Sequence, residues 1–153
     1  MLAVKDFIIN ILPILRKKIP NIQFYIIGNF NKLDKFLLSF HRNTFFLGQR
    51  KKLDKYIKNS FCGLANLKIA SGVQGKVLTY MSFGLPVICS KKVAVNFKNN
   101  VIDYNNNNEL IKKIIDLKKN KRLSKSLSKK SIGFIKKFSE SKIYLEYQKV
   151  VNF

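Results

Sequence analysis

Apolar side chains at Val4, Phe7, Ile8, Ile11, Leu12 and Leu15 recur at three- and four-residue steps, the period of one helical face. Pro13 lies inside that stretch and predicts a kink, because it has no amide hydrogen to donate, and Pro20 predicts the end of the helix. The pattern then changes. IQFYIIG (22–28) is a compact β-branched and aromatic run closed by glycine, which predicts a buried strand. LDKFLLSF (33–40) predicts a helix, TFFLG (44–48) a strand and KLDKYIKNS (52–60) a helix. CGLANLKIA (62–70) predicts another strand, GKVLTYMSF (75–83) a helix and PVICS (86–90) a strand.

VIDY (101–104) predicts one more short strand, followed by the polar loop NNNN (105–108), in which a late asparagine is a candidate N-cap. From there the chain turns helical. The stripe Leu110, Ile114 and Leu117 predicts a helix over 108–120. Leu123, Leu127, Phe134, Ile135 and Phe138 predict another over 122–138, and a last helix is expected over 139–151. Strands alternating with helices over short connections imply a parallel sheet with helices on both faces, because parallel strands need a crossover between them. Neither an internal repeat nor an interdomain linker interrupts the pattern, so residues 1–153 read as one α/β domain.

The charge adds a second question. The formal net charge is +22, with 30 basic residues against 8 acidic ones. Such a field attracts polyanions and anionic membrane surfaces. Only four of the basic residues are arginine, the side chain whose planar fork suits base and phosphate recognition, which argues against nucleic acid as the partner. The excess of lysine and asparagine reads as coding bias, with a basic patch for an anionic membrane over the lysine-rich stretch 118–130 as the alternative. Cys62 and Cys89 sit in apolar runs and His41 is the single histidine, so no zinc ligand set is present and reduced, buried thiols are expected. His41 itself reads as an exposed loop residue. The apolar N-terminal stretch is interrupted by Lys5 and Asp6 and has no basic start, unlike a signal peptide, and is too short to span a bilayer. A cytoplasmic setting is expected, with a peripheral position at the inner face of a membrane as its extension.

Candidate chemistry gathers in SGVQGKVLTYMSFGLPVICS (71–90). Gly72 and Gly75 flank a turn between a predicted strand and a predicted helix, and Lys76 follows at once. Glycine lets a ligand approach the backbone, a helix start offers unpaired N–H groups, and a lysine supplies a cation. The turn is not a Walker A loop, which needs four residues between its glycines and a Ser or Thr after the lysine. GVQG matches the bare GXXG of RNA-clamping KH modules, but those place a helix before the loop where this chain predicts a strand. By spacing alone, an anion cradle and a tight structural turn stand level. Val77, Leu78 and Met81 are core positions by helical spacing, Gly84 reads as the glycine just past the helix end, and Pro86 opens the next strand.

The same twenty residues resemble the donor-binding segment of retaining group-1 (sucrose-synthase-like) glycosyltransferases, with the pattern G-[IV]-Q-[NG]-K-V-L-E-x-M-x-x-G-x-P-V of their bacterial polysaccharide branch. ILPILRKKIPNIQFYIIG, TFFLGQRKKLDKYIKNS and FSESKIYLEYQKVV extend the resemblance over nearly the whole chain. It implies a Rossmann-like domain with C-terminal helices packed after the sheet, one half of a GT-B fold. The opening strand, its glycine-rich loop and the separate N-terminal domain are expected to be lacking.

The implied ligand is a nucleotide-sugar donor, held without a metal, and the implied acceptor is a cell-surface glycan or lipid-linked sugar. An N-terminal-domain partner chain would complete the cleft. Donor-contacting positions carried over from the resemblance are Ser71, Gly72, Gln74, Gly75, Lys76 and Thr79, with Gly48 near the nucleobase or simply ending its strand. Two depart from the family: Ser71 and Thr79 stand where carboxylates are common, and Thr79 cannot match a carboxylate that accepts from both ribose hydroxyls. No catalytic residue follows from the sequence. A non-enzymatic basic module binding nucleic acid or membrane, and a decayed fragment, remain as other readings.

Overall fold

The computed structural model describes residues 2–50, 52–65 and 75–140. The N-terminal helical stretch comes in three parts, α1 (Leu2–Asp6), a π turn (Phe7–Ile11) and α2 (Leu12–Lys18). The irregularity expected from Pro13 takes the form of that π turn: Leu12 donates its amide to the Phe7 carbonyl, and Pro13 opens the regular helix that follows. Next come β1 (Phe24–Ile27), α3 (Lys32–Ser39), β2 (Thr44–Gly48), α4 (Asp54–Lys58) and β3 (Gly63–Ala65). The second half contains α5 (Gly75–Ser82), β4 (Val87–Ser90), α6 (Lys91–Ala94), a 3-10 turn (Lys98–Asn100) and β5 (Ile102–Tyr104). α7 (Asn107–Lys119) and α8 (Lys121–Glu140) end the described chain. The expected strand residues 66–70 and the helix beyond residue 140 lie outside the described residues.

All paired strands are parallel, and the architecture is Rossmann-like α/β. The single sheet expected from the sequence is divided. β1 pairs with β2, while β3, β4 and β5 form a second sheet in that order. No described strand lies between β1 and β3, so no ladder joins the two.

The two parts share one helical layer. Phe7, Leu12 and Leu15 form a continuous core with Ile88, Tyr104, Leu110 and Ile114, and Phe24 of β1 and Leu64 of β3 pack against it. Beside it, Ile8, Ile26 and Leu38 join α3 to the same face of β1. Strand alternation turns Ala65, Val87 and Cys89 the other way, against Val77 and Met81 of α5 and Phe134 of α8. The three-stranded sheet is thus covered on both faces. The outer face of the β1–β2 pair is thinner, with Tyr25 stacked on Phe45 at 5.1 Å and tilted toward Tyr56 of α4 at 6.0 Å.

Local chemistry explains the helix ends. α5 stops in a full Schellman motif: Gly84 donates to the Met81 carbonyl at 2.9 Å, Leu85 donates to Tyr80 at 3.0 Å, and Gly84 has φ +67°. The N-cap of α7 is Asn106, the second of the four asparagines, whose Oδ1 accepts from the Glu109 amide at 3.0 Å. Glu109 reaches back to accept from the Asn105 amide at 2.8 Å, a variant of the reciprocal capping box. Asn120 then caps α8 through the Leu123 amide at 2.9 Å, which lets two helices abut with a single residue between them. His41 differs from expectation: it is half-buried, in a turn whose carbonyl accepts from the Thr44 amide at 3.2 Å.

Candidate functional site

A right-handed crossover fixes which face each connecting helix covers. α3, which joins β1 to β2, packs on the same face as α1 and α2; α5, which joins β3 to β4, packs on the opposite face. The strand order therefore reverses between β1 and β3. In open α/β sheets, the crevice at the carboxyl ends of the strands flanking such a reversal is where ligands bind.

A cavity of 530 Å³ runs between these two strands and includes Ile27, Ala65 and Lys76 in its lining. Ile26 and Ile27 of β1 line one side, Gly63 to Ala65 of β3 the other, and Lys76 and Tyr80 reach it from α5. Because α5 follows the carboxyl end of β3, Lys76 stands at the carboxyl-end opening, with its ammonium exposed. None of the described residues lining the cavity is acidic, so an anion there meets no carboxylate among them.

The depth at which Lys76 sits is set by a close approach of α5 to β3. A Cβ at buried Gly63 would lie 2.6 Å from Cγ and 2.8 Å from Cε2 of Tyr80, so only glycine lets the helix rest this near the strand. Burial pushes the Tyr80 phenol above its ordinary pKa, and the neighbouring Cys62 adds to it. Val77 and Met81, on the inner face, are fully buried, which leaves Gly75 and Lys76 turned outward. Gly63 and Tyr80 were not singled out by sequence reasoning; a glycine at a strand start facing an aromatic on the next helix was the available signal.

Of the six positions expected to contact a donor, Gly75, Lys76 and Thr79 fall on the described part of α5. Ser71, Gly72 and Gln74 lie outside the described residues. Gly75 has open space where a Cβ would be. The Thr79 hydroxyl donates to the Gly75 carbonyl at 2.9 Å, so its proton is held within the helix and only its lone pairs remain free. Gly48 ends β2 and accepts from the Gly28 amide at 3.0 Å, tying the carboxyl ends of β1 and β2 together. No cluster of three His, Cys, Asp or Glu side chains that could hold a metal ion exists among the described residues. Both thiols are free, Cys89 buried and Cys62 half-buried, and burial pushes each up to about 12. Among the described residues no helix is long and apolar enough to cross a membrane.

Fold and crevice together define a Rossmann-like α/β domain with a cavity beside its strand reversal. The family described as Glycosyl transferases group 1 matches residues 3–120, more than half of the chain, and the chain belongs to that family. No curated protein matches it.

Proposed function

We propose that the chain is the donor-binding half of a retaining GT-B glycosyltransferase, and that the crevice beside Lys76 receives the diphosphate of a nucleotide sugar. The observation that carries this reading is the place of Lys76, a cation at the carboxyl-end opening between β1 and β3, in a chain of the group 1 glycosyltransferase family. The lysine ammonium and the backbone N–H groups of the glycine-rich turn at Gly72, Gln74 and Gly75 offset charge on the departing nucleoside diphosphate, and the reading calls for no metal. Thr79 serves the ribose only as an acceptor, since its proton is engaged. That makes ribose recognition weaker than a carboxylate would.

Transfer would deliver the sugar to a glycan or lipid-linked acceptor for cell-surface polysaccharide, with an N-terminal-domain partner chain supplying the acceptor side. A peripheral membrane position fits the outer face of α3. Leu33, Phe36, Leu37 and the adjoining Phe40 are 65%, 61%, 55% and 72% exposed, and Lys32 and Lys35 flank them. An apolar stripe among lysines is the make-up of a helix that lies in an anionic interface. Calorimetric titration with UDP-, GDP- and ADP-glucose tests the donor reading: one of them gives saturable heat with the folded chain. Flat titrations with all three would remove it, and binding of single-stranded nucleic acid with a steep loss in salt would favour a basic binding module instead.

A further inference from the structure

Two of the chain's four arginines meet at the amino end of β2, the end of the strand opposite Gly48. Arg16 stands in the last turn of α2, and its Nη2 donates to the hydroxyl of Thr44, the first residue of β2, at a long 3.5 Å. Its Nε is buried and has no hydrogen-bond partner. Arg42 lies two residues before Thr44, in the turn where Asn43 takes φ +57°. It is near enough that its charge adds to burial in lowering the Arg16 pKa from the ordinary value. No carboxylate among the described residues pairs with either guanidinium. Like charges held together with donors to spare are completed by an anion, which removes the repulsion and supplies acceptors. A phosphate suits them best, because its oxygens accept in pairs from the planar fork.

The surroundings say what carries the phosphate. Arg42 follows Phe40 by two residues, and Phe40 closes the exposed α3 stripe of Leu33, Phe36 and Leu37. Phe36 and Phe40 pack edge to face at 5.0 Å, which makes the stripe an ordered apolar ridge. α1, the π turn and α2 belong to the same helical layer. With α3 and Phe40 they carry half of the exposed large apolar side chains among the described residues. The rim is basic: Lys17 and Lys18 continue from Arg16, and Lys32 and Lys35 stand on α3. In the sequence, Asp34 is the one acidic residue between Asp6 and Asp54, against nine lysines and arginines. An anionic lipid surface matches both properties at once, its acyl boundary taking the ridge and its headgroups meeting the cations.

We propose that Arg16 and Arg42 form a headgroup site that holds the phosphomonoester of a membrane lipid while the α3 ridge lies in the interface. The terminal phosphate of such a lipid presents three free oxygens to the two forks, whereas a phosphodiester headgroup presents fewer and carries a substituent in the way. The site rests on the peripheral membrane position and adds to it a lipid preference and the face that meets the bilayer. It is independent of donor binding, because Lys76 follows the carboxyl end of β3 and the arginines stand at the amino end of β2.

Sedimentation of the full chain with two kinds of phosphatidylcholine vesicle tests the site. One kind contains phosphatidic acid, the other enough phosphatidylserine to match its surface potential. The chain binds the phosphatidic acid vesicles about tenfold more tightly, the weight of one charge-assisted bidentate contact. Arg16→Lys with Arg42→Lys keeps the charge and loses the forks, so the preference disappears while phosphatidylserine binding and the thermal midpoint stay unchanged. Arg42→Lys alone, at an exposed position, already removes most of the preference. Phe36→Ser with Phe40→Ser lowers both affinities in parallel. Equal affinity of the unaltered chain for the two vesicles overturns the arginine site and leaves the membrane position standing, as does a preference that survives the lysine pair. Binding to neither vesicle overturns both. Saturable shifts of the Arg16 Nε–H signal with inorganic phosphate, without any vesicle preference, assign the pair to a soluble phosphate and overturn the lipid source.

Discussion

Replacing Gly63 by alanine places one methyl group between β3 and α5. The new Cβ would meet Cγ of Tyr80 at 2.6 Å and Cε2 at 2.8 Å, where ordinary contact begins near 3.4 Å. These atoms belong to the rigid ring, Cγ at its root, so a swing of a flexible tip cannot relieve the overlap. Either the ring turns into the adjoining cavity or α5 lifts from the strand, and both move Lys76. Overpacking of this kind costs about 1–3 kcal/mol. For a chain of this size that lowers the thermal midpoint by roughly 2–12 °C.

Differential scanning calorimetry measures the shift, with Gly75→Ala as the control, because the added Cβ there meets nothing within 4 Å. The control is neutral or slightly stabilising. Tyr80→Leu in the Gly63→Ala background recovers part of the loss, giving a coupling of at least about 0.5 kcal/mol in a double-mutant cycle. An unchanged midpoint in Gly63→Ala, or strictly additive effects, would refute the close approach as the feature that sets α5.

Other consequences follow from individual residues. Asn106→Ala removes the α7 cap and costs about 1 kcal/mol, a fall of roughly 2–4 °C in the same scan. Lys76→Ala leaves the thermal midpoint unchanged, because the side chain is exposed, but weakens nucleotide-sugar binding in calorimetry at least fivefold; equal affinity would remove its diphosphate role. Cys62 and Cys89 hold their protons in the folded state up to about 12, above the ordinary thiol value of 9.0, so their contribution is intact below pH 9 and declines from there toward pH 12. Urea denaturation should show stability falling over that window, and Cys89→Ala should flatten the fall. The α3 stripe predicts sedimentation with phosphatidylserine vesicles that Phe36→Ser and Phe40→Ser reduce together, while vesicles of phosphatidylcholine bind weakly.

Much of the fold was legible because period and punctuation agreed. TFFLG reads as a strand from its composition and is β2 over Thr44–Gly48, and the Leu110, Ile114 and Leu117 stripe is the buried face of α7. Gly84 reads as a helix stop and completes the Schellman motif. What escaped was information carried between elements. The short α6 has too few residues to show a period. The division of the sheet depends on which edges meet, and FYII and GLA look alike whether their neighbours are present or not. The site was half legible: Lys76 and Gly75 stand out by type, whereas Gly63 matters only because Tyr80 lies over it. Thr79 shows the limit plainly, since only the folded helix brings its hydroxyl onto the Gly75 carbonyl.

The most direct test of the donor reading is where a nucleotide sugar binds. Chemical-shift mapping of the full chain during titration with the nucleotide sugar that gives calorimetric heat reports that position. Changes centred on Gly28, Gly48, Gly75 and Lys76, at the carboxyl ends of β1, β2 and β3, are the predicted result. Changes centred on Asn21, Ser60 and Lys118, at the opposite end of the same strands, would contradict it, as would a folded protein whose spectrum none of the three nucleotide sugars alters.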